Sequence, residues 1–110
     1  MSSWVKYHFR HIANWRRYAE IIASTAKDLI GDVKVYVIGG VAEDRVTVLS
    51  DIDILIVVPD DLFRENLSVE ILDKAIEKYG LPWDAPVQLH IVKRSEASKY
   101  FSRGRVIEIK

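Results

Sequence analysis

A chain of 110 residues, 49% hydrophobic and 29% charged, suits one packed domain and is too apolar for a disordered tail. It has no cysteine, which excludes disulfide scaffolds, thiolate metal sites and cysteine nucleophiles. Sixteen Lys plus Arg balance sixteen Asp plus Glu, so net charge offers no argument for a nucleic-acid binder, and no apolar run approaches the ~20 residues that span a bilayer. Met1 to Arg10 lacks the apolar stretch of a signal peptide. The expectation is a cytoplasmic single domain over 1–110.

From Trp4 to Leu29 there is neither Gly nor Pro. Trp15, Tyr18, Ala19, Ile22, Ala26 and Leu29 recur at helical spacing, which predicts one long N-terminal amphipathic helix stopped by Gly31. Val33 to Ile38 alternates and is β-branched, a strand that ends at Gly39-Gly40. Val41 to Arg45 reads as a short helical or turn segment. Asp51 to Val58 is the most apolar run, a strand buried on both faces and stopped by Pro59. Helical spacing returns from Ser68, the expected N-cap, to Tyr79, with Gly80 as the stop. Val87 to Val92 is a third strand. Ser95 to Phe101 is a short helix, and Val106 to Ile109 is a last strand. That order predicts an α/β (α+β) domain: a small mixed sheet with helices packed on it.

Asp51 and Asp53 interrupt the apolar strand at its start, and a spacing of two puts both side chains on one face. Two carboxylates that close repel. A divalent cation relieves the conflict, and hard oxygen donors suit Mg²⁺, which keeps waters and phosphate oxygens as its other ligands. Without a metal, Asp51 caps a turn and Asp53 sits at the strand mouth in water. Gly39-Gly40 allows backbone N–H groups to approach an anion, or simply ends a strand. No Gly-Lys-Ser/Thr follows, so this is not a Walker-A loop.

The order is specific: a strand ending in Gly-Gly, then Val41-Ala42-Glu43-Asp44-Arg45, then Ser50-Asp51-Ile52-Asp53-Ile54-Leu55-Ile56-Val57. It resembles the polymerase-β-type nucleotidyltransferase superfamily, and within it the minimal nucleotidyltransferase (MNT) proteins of HEPN/MNT toxin–antitoxin pairs. The resemblance runs from about Val33 to Ile109, and Ser102 to Glu108 looks like the family's Gly-turn and final strand. It implies a nucleotidyltransferase-like fold that binds a nucleoside triphosphate, taken as ATP. Gly39, Gly40 and Ser50 would lie at the phosphates, with Arg45 as a further contact. Asp51 and Asp53 would be the catalytic carboxylates and hold one or two Mg²⁺ ions. The reaction implied is transfer of AMP to a helical HEPN-type protein partner.

Three departures qualify this. Gly40 stands where the family has Ser. Glu43 and Asp44 add negative charge near the turn. Gln88 occupies the position of the family's third carboxylate, and an amide cannot act as a general base. His90 shares the Gln88 face and could substitute, or be a histidine satisfied by hydrogen bonds. A degenerate, non-catalytic module that binds a partner or a nucleotide therefore stays open, as does a homo-oligomer. The basic first helix, with Arg16 and Arg17, carries no nucleic-acid motif, so a nucleic-acid partner is not expected. His8 and His11 read as surface or core-edge residues, and Trp83 as a turn anchor or a base-stacking ring.

Overall fold

The most apolar segment becomes the inner strand about which the chain is organised. A computed structural model describes residues 3–44 and 50–110. The elements run α1 (Ser3–Ala13), α2 (Trp15–Ile30), β1 (Lys34–Ile38), α3 (Gly39–Ala42), β2 (Ile52–Val58), α4 (Leu67–Tyr79), β3 (Val87–Lys93), α5 (Ser98–Phe101) and β4 (Ile107–Ile109). The strand order is β3-β2-β1-β4. β2 and β3 are parallel, while β1 pairs antiparallel with both β2 and β4. The sheet is therefore mixed, as expected.

The long N-terminal helix is instead two helices. Asn14 leaves helical geometry, with φ −91° and ψ 16°. Its side-chain Nδ2 donates to the carbonyl of Arg10 at 3.0 Å, and its backbone N–H donates to the carbonyl of His11 at 3.1 Å. A short amide side chain that bonds its own backbone competes with the helical ladder. Nothing in the apolar spacing registers that competition. α4 also starts slightly early: Asn66, not Ser68, stands at its N-cap position, and Gly80 ends it in the left-handed region at φ 76°.

The two faces of the sheet are covered differently. Ile52, Ile54, Ile56 and Val58 of β2 pack with Val35 and Val37 of β1 against the apolar stripes of α2 and α4. Ile22, Ala19 and Ala26 come from α2, and Leu67, Ile71 and Ala75 from α4. On the opposite face Leu55 and Val57 form a smaller cluster with Val92 and Ala97, edged by Tyr36, Ile38 and Tyr100. That smaller cluster ends where Asp53 begins.

Candidate functional site

At the end of β1 the chain must turn sharply into α3. Gly39 does this at φ +71°, and a Cβ there would lie 2.6 Å from Asp53 Oδ2. Both facts demand glycine: the left-handed conformation penalises side chains, and the space is already filled by a carboxylate. The approach is set by register, because Ile38 pairs with Asp53 across the β1–β2 ladder.

Asp53 is also fixed from its other side. His90 of β3 donates through Nε2 to Asp53 Oδ1 at 3.2 Å. Both side chains are partly open to solvent, at 31% and 27%. In the parallel β2–β3 ladder Asp53 pairs with Gln88 and Leu55 with His90, so all four share one face. Gln88 is exposed and His90 half-buried. The histidine, rather than the glutamine, reaches the carboxylate.

Gly39, Asp53 and His90 line a cleft of about 360 Å³. Tyr100 from α5 and the turn Arg103-Gly104-Arg105 form its opposite wall, and Glu43 closes the end beyond α3. A Cβ on Gly104 would stand 2.6 Å from Glu43 Oε1, so the second glycine lets this turn press against the end of α3. The Arg103 guanidinium lies over the Tyr100 ring at 5.2 Å.

α1 reaches the same end of the sheet through polar contacts. His8 Nε2 donates to the carbonyl of Ser50 at 2.9 Å, Tyr7 donates its hydroxyl proton to Asp84, and His11 Nδ1 is bonded to the Tyr18 hydroxyl at 2.7 Å. His11 Nε2 faces Asp84 Oδ1 at 3.6 Å. The hydrogen bond from Tyr7 holds the Asp84 carboxyl below its ordinary value, and the same bond pushes the Tyr7 phenol up. Trp4, Tyr7 and Trp83 are all exposed around these contacts, Trp83 at 83%. Trp83 is thus no buried anchor.

Of the residues singled out from sequence, Gly39, Asp53 and His90 meet in the cleft. Asp51 is exposed one residue before β2, and Ser50 is half-buried beside it. Gly40 is part of α3. Gln88 stands in register with Asp53 but does not line the cleft. Arg45 lies outside the described residues. Sequence reasoning gave no role to Tyr100, Arg103 or Arg105. The signal was present as Arg-Gly-Arg before the last strand, but the neighbour of that turn, β1, is some seventy residues earlier, and only the β1–β4 pairing brings them together.

Fold and cleft together define a mixed-sheet protein of the nucleotidyltransferase-like class. The described structure superimposes on a crystal structure of a Sulfolobus solfataricus protein provisionally named a nucleotidyltransferase, with TM-score 0.61 over 98% of this chain and 87% of that one. Identity between them is 14%, so the likeness is one of fold. No curated protein matches the chain in sequence. The model of the nucleotidyltransferase domain family matches residues 18–107, and the chain belongs to that family. Nucleotidyl transfer is its general activity class, with a nucleoside triphosphate and a divalent metal ion as the family's usual requirement.

The donor set bears on that metal. Among the described residues no three His, Cys, Asp or Glu side chains gather as a metal site. Asp53 at the start of β2, with Asp51 exposed just before the strand, is a donor set that suits only a hard cation bringing most of its ligands as water and phosphate oxygens. Such a cation fits here as a companion of the nucleotide rather than as a resident of a protein cage. No described helix is long and apolar enough to cross a membrane.

Proposed function

We propose that the chain is a Mg²⁺-dependent nucleotidyltransferase that places AMP from ATP on a hydroxyl of a protein partner. The carrying observation is the close approach of the Gly39 backbone to the Asp53 carboxylate at the mouth of the cleft. A phosphate chain lying in the cleft beside them would meet both the Gly39 backbone and a carboxylate able to hold a cation. Asp53, with Asp51 before it, would hold Mg²⁺, which supplies positive charge to the phosphates when bound. His90 keeps Asp53 oriented by its hydrogen bond. Gly39 keeps the phosphate side free of side-chain bulk. In the transfer, the acceptor oxygen bonds to the α-phosphorus as the bond from that phosphorus to its β-bridging oxygen breaks. Pyrophosphate leaves, and the acceptor's proton goes to solvent.

The partner reading rests on the resemblance to minimal nucleotidyltransferases paired with helical HEPN proteins. Exposed Trp4, Tyr7 and Trp83 support it, because exposed aromatics supply anchor area to interfaces. They flank the contact that ties His8 to Ser50, next to Asp51.

Titration calorimetry with ATP, with and without Mg²⁺, tests the reading. Mg²⁺-dependent binding that disappears in Asp53→Asn, with the fold retained, is the expected result. Absence of binding in the wild-type protein overturns it. A second reading is favoured by Gln88, a neutral amide in register with Asp53: a module that binds nucleotide or partner without transfer. Label from α-³²P ATP appearing on a co-purified partner decides for transfer. Tight nucleotide binding without labelling decides for the module.

A further inference from the structure

The Arg103-Gly104-Arg105 turn is the part of the cleft that the proposed chemistry leaves unused. β4 pairs with β1 through Val37↔Ile107. Gly39, at the end of β1, and Arg105, just before β4, both line the cleft. On the other side of β1, Ile38 pairs with Asp53. The glycine turn thus has a carboxylate strand on one flank and a basic turn on the other.

Neither arginine forms an ion pair with a described residue, as is true of most basic residues here, so both guanidinium groups are available to an anion. Both line the cleft, and Arg103 is steadied on that side by the Tyr100 ring. The Glu43 carboxylate packs against Gly104 between them, and two guanidinium groups outweigh its single charge, so the turn stays net positive towards an anion. A planar guanidinium matches phosphate oxygens in a bidentate fork better than any other side chain.

The spacing selects the anion. β1 separates Asp53 on β2 from the arginine turn before β4, and neighbouring strands lie about 4.8 Å apart. A chain of two or three phosphates extends from the Asp53 side to both arginines, whereas a single phosphate engages fewer of these groups at once.

We infer that Arg103 and Arg105 hold the terminal phosphates of a nucleoside triphosphate whose α-phosphate lies at Gly39 and Asp53. This rests on the nucleotidyltransferase reading and adds a direction to it: the phosphate chain runs across the end of β1, from β2 towards β4. The leaving pyrophosphate then departs on the arginine side, where its charge is matched. The nucleoside is left at the Asp53 end, near the acceptor's approach.

Affinities of ATP, ADP and AMP, each with Mg²⁺, measured for the wild type, Arg103→Ala, Arg105→Ala and the double variant, test the inference. Both side chains are exposed and outside the core, so the variants are expected to fold, which circular dichroism checks. Removing a charge-assisted hydrogen bond to phosphate weakens binding about tenfold or more per arginine. The expected result is a loss of about 100-fold for ATP in the double variant, a smaller loss for ADP, and AMP unchanged. Inorganic tripolyphosphate should compete with ATP in the wild type and not in the double variant. An equal loss for all three nucleotides overturns the inference, since it places the arginines at the nucleoside or α-phosphate. Unchanged ATP affinity overturns it too, and if Asp53→Asn still abolishes binding, the nucleotidyltransferase reading survives alone. A wild type that binds no ATP overturns both.

Discussion

On one face of the sheet Ile52, Ile54, Ile56 and Val58 lie under two full helices. On the other, Leu55 and Val57 pack with Val92 and Ala97 under Tyr36, Ile38 and Tyr100, and Asp53 beside them meets solvent. The same seven-residue strand supplies both. The thick face holds the domain together, and the thin face gives up burial to keep a carboxylate available. A site at the thin end can change shape without disturbing the helices that carry most of the stability.

Matched truncations on β2 test this most strongly. Ile54 and Leu55 are both fully buried but face opposite ways. Ile54→Ala is expected to destabilise by about 2–5 kcal/mol, read as a lower urea midpoint. Leu55→Ala should cost the lower end of that range, because a thin layer can collapse on the gap, yet it should weaken ATP binding more. If Leu55→Ala proves the costlier to stability, the ranking of the two faces is wrong.

Gly39→Ala is expected next. A left-handed alanine costs about 1–2 kcal/mol, and its Cβ displaces the Asp53 carboxylate. A modest drop in thermal midpoint should accompany a near-complete loss of Mg²⁺-dependent ATP binding. Asp53→Asn separates the two effects. It keeps an acceptor for His90, so the midpoint should hold, while Mg²⁺-dependent affinity falls by at least the ~10–100-fold that outer-shell partners of a metal are worth.

The smallest effect concerns α1. Asp84 has its carboxyl lowered by Tyr7, and Tyr7 its phenol raised by Asp84. A lowered acid stabilises the folded state above its unfolded value, and loses that effect as pH falls through its folded value. A raised phenol contributes below its unfolded value, and loses it as pH rises through its folded value. α1 should therefore stay fastened from about pH 4 to pH 10 and loosen outside that window. Tyr7 is exposed and Asp84 only half-buried, so solvent screening keeps the effect small. Tryptophan fluorescence against pH should show both steps, and Tyr7→Phe should remove them.

The sheet was readable because its strands are short, β-branched runs bounded by Gly and Pro. All four strands fall within two residues of the expected bounds. The helix break at Asn14 was not readable, since it comes from a side chain bonding its own backbone, and apolar spacing carries no trace of that. The site was half readable. Asp53 and the glycine pair announce themselves because they interrupt apolar runs. Gln88 stands in register with Asp53, yet sequence position alone could not say that His90, two residues on, would be the side chain that reaches the carboxylate. The arginine wall lies in the turn before β4, a strand that pairs with the distant β1, and local sequence contains no measure of that distance.

β2 also shows what the carboxylates do for folding. Apart from Asp53, both of its faces are built from Ile, Leu and Val. A strand so apolar on both sides has little to tell it which way up to lie. A slip of one residue against β1 would exchange its two faces. It would then drive the Asp53 carboxylate beneath α2 and α4, where an unpaired charge is costly. The residue that the proposed function sets at the phosphates thus also forbids the misregistered sheet, and Asp53→Leu would remove that protection.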